Sequence, residues 1–117
     1  MTWKKRRRRK NTTAKGTRYE EHVAQKMKWH GYRFVKRVGK AGDFGCDITA
    51  RTGLFGRKVV VQCKCYSGKV GNAAVQEVNA ARQYYGASIA VVATNSTFTQ
   101  AAKELAKACN VCLWERY

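Results

Sequence analysis

Residues 58–66 read "KVVVQCKCY", and this stretch decides the fold. Val59, Val60 and Val61 are consecutive β-branched residues, the pattern of a strand covered on both faces. Side chains alternate along a strand, so Gln62 and Lys64 share one face and Cys63 and Cys65 the other. Polar groups are costly inside a sheet unless they have partners. A covered strand that ends in an amide and an ammonium on one side therefore calls for partners on the neighbouring elements.

Outward from it, "TGLFG" (52–56) joins this strand to "CDITAR" (46–51), which predicts a hairpin of strands 46–51 and 57–65. "YRFVKRV" (32–38) alternates as an earlier strand, and "GKAGDFG" (39–45) reads as a loop. Before them, "TRYEEHVAQKMKWHGY" predicts a helix capped by Thr17, with Tyr19, Val23 and Met27 on one face and Gly31 as its stop. Downstream, "NAAVQEVNAARQYYG" predicts a helix capped by Asn72, with Ala74, Val78, Ala81 and Tyr85 along one side. "SIAVVAT" (88–94) follows as a buried strand. "TFTQAAKELAKACN" is a third helix, opened by Thr97 with Gln100 three residues on as a capping box, and "VCLWER" (111–116) is a last strand. The expected fold class is α/β, a mixed β-sheet flanked by helices in the order α-β-β-β-α-β-α-β. Hairpins come first and a helical crossover to a parallel strand follows.

A chain of 117 residues with 44% apolar content supports one core. Its formal net charge is +17, from 24 Lys and Arg against 7 Asp and Glu. Eight of those bases lie in residues 1–16, which leaves 16 bases against 7 acids, a surplus of nine, for the rest. Such a balance favours a polyanion, with DNA as the expected partner. Lys4, Lys5, Arg6, Arg7, Arg8, Arg9 and Lys10 run consecutively, and the expected division is a basic flexible arm over 1–16 and a folded domain over 17–117. The longest clean apolar run, "IAVVA", is far shorter than the ~20 residues of a membrane span, and no hydrophobic region follows the N-terminal charges. No membrane role is expected. The location read from this is intracellular, or nuclear in a eukaryote, with the five cysteines reduced.

If strands 46–51 and 57–65 pair, Asp47 comes beside the face that carries Gln62 and Lys64. Aspartate is a hard oxygen ligand suited to Mg²⁺, and the Gln62 carbonyl is a second, weaker one. Lys64 would stabilise charge on a phosphoryl oxygen or orient a water. Together these are the equipment of metal-assisted phosphodiester hydrolysis. Glu20, at the margin of the buried face of the first helix, is the candidate fourth member. "TRYE" from Thr17 to Glu20 is also a capping box, so a site and a cap stand as two readings of that glutamate. An amphipathic hairpin whose polar residues merely face water is the plain alternative for the whole group.

"YEEHVA", "GDFGCDITA", "VVVQCKCY" and "ATNSTFTQAAKELA" occur in this order across residues 17–115. With these four blocks the chain resembles the Mrr-like restriction endonuclease family, a branch of the PD-(D/E)xK nuclease superfamily. The resemblance implies a restriction-endonuclease-like fold, a Mg²⁺-dependent nuclease (Mn²⁺ as substitute) and a site made of Glu20, Asp47, Gln62 and Lys64, with Asp43 as a neighbour. Asp47 would be the principal metal ligand, joined by Gln62 and Glu20. The wider superfamily usually has an acid where this chain has Gln62. The Mrr-like branch commonly carries glutamine there, at the cost of one negative charge on the metal site. A restriction-type enzyme and a structure-selective one, such as a Holliday junction resolvase, both fit, and either is expected to work as a homodimer because cutting two strands takes two sites. The rival from another class is a non-catalytic nucleic-acid-binding module that has kept the fold.

Other signals are weaker. Cys63-x-Cys65 and Cys109-x-x-Cys112 do not sit in the glycine-containing turns that usually hold zinc, so no zinc is expected. The glycines of "GKAGDFG" lead into a strand rather than a helix, which fails the dinucleotide pattern and suggests a close approach to substrate. His22 and His30 read as structural. "TNST" (94–97) reads as helix capping ahead of a phosphate-binding role.

Overall fold

The computed structural model describes the backbone of residues 2–38 and 45–117, and side chains over 14–38 and 45–117. Three helices and five strands follow one another as α1 (Thr2–Trp29), β1 (Arg33–Arg37), β2 (Ile48–Arg51), β3 (Lys58–Lys64), α2 (Asn72–Tyr84), β4 (Ile89–Thr94), α3 (Gln100–Cys109) and β5 (Val111–Trp114). The expected order of elements is the observed one. Asp43 and the side chains of Lys4 to Lys10 lie outside the described residues.

The sheet has the order β1-β2-β3-β4-β5. The two hairpin pairings are antiparallel, with Ile48 opposite Val61 and Arg51 opposite Lys58 in β2–β3. β3 then pairs parallel with β4, Val61 beside Val91 and Lys64 beside Thr94, and β4 pairs parallel with β5. The switch from antiparallel to parallel falls where α2 provides the crossover, because a parallel neighbour cannot be reached by a tight turn. β3 is therefore central.

Its three valines divide between two cores. Val60 packs with Val75 and Val78 of α2, Ala102 and Ala106 of α3, and Val92. Val59 and Val61 pack on the opposite side with Tyr19, Val23 and Met27 of α1. All three valines are fully buried, which at about 1.5–3 kcal/mol per side chain makes this strand a major source of stability.

Helix ends differ from expectation in three places. Thr17 does not cap α1, whose helical backbone is continuous through residues 14–17. The one glycine there, Gly16, costs only about 1 kcal/mol in a helix and does not stop it. Asn72 does not cap α2: Gly71 occupies that position, without a side-chain bond. Thr97 does not open α3, because residues 97–99 are drawn into an extended bridge with Val70, in which Val70 N donates to Thr97 O (2.8 Å) and Thr99 N to Val70 O (3.0 Å). Thr99 caps instead, its hydroxyl accepting from Ala102 N. Asn110, in the left-handed region that asparagine tolerates, closes the helix.

Candidate active site

Asp47 lies one residue outside β2, and its main chain is held from both sides. Its N–H donates to Val61 O (2.8 Å) and its carbonyl accepts from Val38 N (2.9 Å). Its carboxylate turns to the end of β3, where Oδ2 accepts from Cys63 N at 2.8 Å. Cys63 is the residue between Gln62 and Lys64, so Asp47 is anchored to the backbone that carries those two side chains.

Glu20 meets Asp47 from α1. The capping reading of Glu20 falls with Thr17, and its position follows from the helix face instead: Tyr19, Val23 and Met27 dock on the sheet and carry the next residue to the edge of the buried surface. Burial first, and then the charge of Asp47 beside it, raise its carboxyl from 4.5 to about 7, against the opposing pull of Arg37. The Arg37 Nη2 lies 3.4 Å from Glu20 Oε1, and Nη1 lies 3.5 Å from Glu21 Oε2. Burial also pushes the Cys63 thiol up, as do the charges of Asp47 and Glu20, so that cysteine is an inert apolar filler.

Gln62 and Lys64 point towards α2. Gln62 is buried at 6% exposure, and its Nε2 donates to Glu77 Oε1 at 2.6 Å. Lys64 Nζ lies 3.4 Å from the same oxygen. The polar contacts at the end of β3 fall into two groups, Glu20–Asp47–Arg37 reached from α1 and Gln62–Lys64–Glu77 reached from α2, linked by the bond from Cys63 N to Asp47 Oδ2. Glu77 and Arg37 were not among the residues that the sequence singled out. Glu77 directly precedes the buried Val78, a weak signal in itself, and only the packing of α2 on β3 shows what it touches.

The run 94–97 neither caps α3 nor stands open for a phosphate. Thr94, fully buried, donates from Oγ1 to Lys64 O at 2.6 Å and accepts from Ser96 N at 3.1 Å. Asn95 bonds both the N–H and the carbonyl of Tyr66, and Ser96 Oγ donates to Gly68 O. The run stitches the chain leaving β3 to the end of β4. Gly45, with φ +77, closes on α2, where the backbone of Glu77 leaves no room for a Cβ; Gly39 and Gly42 lie outside the described residues. The two cysteine pairs lie apart, Cys63 and Cys65 against the α1 side and Cys109 in the other core.

The donor chemistry fits a hard divalent cation. Two carboxylates stand together at a partly buried edge, where burial and mutual repulsion raise the proton affinity of Glu20 despite Arg37, and oxygen donors of this kind suit such an ion. Among the described residues no three His, Cys, Asp or Glu side chains converge on one point. The carboxylates that meet there are thus two, Glu20 and Asp47.

The family model described as restriction endonuclease, the Mrr catalytic domain, matches residues 12–117. An uncharacterised mitochondrial protein of Schizosaccharomyces pombe is 30% identical over 95 residues, which cover 76% of this chain and 38% of that protein. The crystal structure of AF1548, a protein of unknown function, has a TM-score of 0.65 at 18% identity, over 83% of this chain and 56% of that one. The MspJI restriction endonuclease, in complex with a 27-mer oligonucleotide, has a TM-score of 0.58 at 24% identity, over 90% of this chain and 26% of that one. The chain spans little more than a third of the yeast relative and just over half of AF1548. The likeness to the solved structures shows a shared restriction-endonuclease-like fold.

Proposed function

The chain belongs to the restriction endonuclease family of the Mrr catalytic type, and on that premise we propose that it is a metal-dependent DNA endonuclease. The observation that carries this is the carboxylate pair Glu20–Asp47, fastened through Asp47 Oδ2 to the nitrogen between Gln62 and Lys64.

In this reading Asp47 and Glu20 hold the cation, and the Gln62 carbonyl is a neutral third ligand. Mg²⁺, or Mn²⁺ in its place, would supply Lewis acidity and lower the pKa of a water. Lys64 places a positive charge where a phosphoryl oxygen gains a negative one, and Glu77 keeps that ammonium in place. The net charge of +17 supplies affinity for the DNA backbone regardless of sequence, and the basic arm over 1–16 adds eight of those charges. Lysines and arginines that contact phosphates position the duplex without reading bases, which suits a structure-selective, junction-cutting enzyme as well as a restriction-type one. A symmetric dimer is the working form proposed for cutting two strands.

The test is a cleavage assay on duplex, single-stranded and four-way-junction DNA with Mg²⁺, Mn²⁺ or EDTA. Asp47→Ala and Lys64→Ala should each abolish cleavage while retaining DNA binding. A chain that cleaves none of these substrates, and binds DNA more tightly as Asp47→Ala, would instead be a non-catalytic binding module.

A further inference from the structure

We propose that Glu77 is a positioning residue of this site, one that orients the Gln62 amide so that its oxygen is the ligating end and holds Lys64 beside it. The inference rests on the nuclease reading above and adds a residue from α2 to it.

An ionised carboxylate only accepts hydrogen bonds, so the end of the Gln62 amide that faces Glu77 at 2.6 Å must be its NH₂. An amide turned the other way would set two acceptor oxygens against each other. Gln62 is 6% exposed, so its amide has little water to turn to, and the bond to Glu77 is charge-assisted. The neutral ligand of the centre is thus pre-set by an anion that stands behind it.

The same Glu77 oxygen lies 3.4 Å from Lys64 Nζ. One carboxylate oxygen therefore serves both polar side chains of the strand. The backbone of Glu77 is tied in as well: its carbonyl packs against Gly45, two residues before Asp47, at a distance that leaves no room for a Cβ. The side chain of this one residue thus serves Gln62 and Lys64, and its main chain abuts the chain two residues ahead of Asp47. The Glu77 side chain is 50% exposed, so it carries little of the core's stability and its substitution separates positioning from folding.

Full-length wild type, Glu77→Ala and Glu77→Gln are compared by Mn²⁺ titration followed by electron paramagnetic resonance without DNA, by kcat and KM for cleavage, and by thermal melting. Partners behind a metal ligand typically matter by about 10- to 100-fold. Glu77→Ala is expected to weaken Mn²⁺ binding about tenfold or more and to lower kcat about 10- to 100-fold, with KM for DNA within about twofold of wild type. Glu77→Gln retains an acceptor for Gln62 Nε2 and is expected to recover part of the Mn²⁺ affinity. Wild-type Mn²⁺ affinity and kcat in Glu77→Ala would overturn the proposal. So would Glu77→Gln weakening Mn²⁺ binding as much as Glu77→Ala, since an acceptor for the Gln62 amide would then not be what the ligand needs. If Glu77→Ala melts far below wild type, Glu77→Gln decides alone by the same measure. A wild type that binds Mn²⁺ but cleaves no DNA refutes the nuclease reading and leaves the metal titration to decide the role of Glu77.

Discussion

Replacing Gly45 by alanine should separate α2 from the loop that carries Asp47. Gly45 has φ +77, and a Cβ built there meets Glu77 O at 2.4 Å and Glu77 C at 2.8 Å. The neighbour is backbone of a helix packed on the core, so it cannot swing aside as a side-chain tip would. The left-handed backbone costs an L-residue about 1–2 kcal/mol. Relieving the overlap costs about 1–3 kcal/mol more, the range for overpacked sites. The sum, about 2–5 kcal/mol, is a large share of the ~5–15 kcal/mol that holds a domain of this size together. Urea denaturation of Gly45→Ala against wild type measures it. Gly68→Ala is the control, since nothing stands within 4 Å of a Cβ there and φ lies outside the left-handed region. It should stay within about 1 kcal/mol of wild type. In the variant that folds, kcat should fall further than the folded fraction does, because Asp47 is two residues from the clash. A Gly45→Ala protein within about 0.5 kcal/mol of wild type would refute the claim that this contact holds the loop against the helix.

Two further expectations follow from buried polar groups. Thr94→Val keeps the shape but leaves Lys64 O and Ser96 N without the hydroxyl that now serves both. It should cost about 2–4 kcal/mol in urea denaturation and lower kcat, whereas Thr94→Ser, which keeps the hydroxyl, should cost about 1 kcal/mol. In EDTA, the folded chain keeps a proton on Glu20 that the unfolded chain releases, because the folded value of about 7 lies above 4.5. Stability should therefore fall as pH rises from 4.5 to about 7, by roughly 2–3 kcal/mol once the partial exposure of the side chain is allowed for. Glu20→Gln should remove that loss, so the difference between the two urea-denaturation curves is the measurement, and a difference that does not vary with pH would show that the pair is not strained.

The order of elements was legible because each element announces itself locally. Three adjacent valines mark a covered strand, and Tyr19, Val23 and Met27 at helical spacing mark a docked helix. Helix starts were less legible. Thr17, Asn72 and Thr97 are all residue types that cap well, yet what decided the start of α3 was the bridge of residues 97–99 to Val70, a contact between parts of the chain far apart in sequence. Of the site, Asp47 and the alternation of Gln62 and Lys64 could be read from the strand period, and Glu20 from its place beside a buried face. Glu77 and Arg37 could not, since a single charged residue on a helix or an edge strand looks the same whether it faces water or a partner.

The sequence by itself determined the α-β-β-β-α-β-α-β order, the central place of residues 58–64, the basic surplus and three of the polar groups at the end of that strand. Those follow from side-chain period and charge, which are properties of neighbours along the chain. Only the tertiary structure decided that Asp47 bonds the nitrogen of Cys63, that Glu20 is pressed against it, and that Glu77 sits behind both Gln62 and Lys64. Each of these is set by how α1 and α2 pack on opposite faces of one sheet, and packing across a core has no fixed spacing in the sequence.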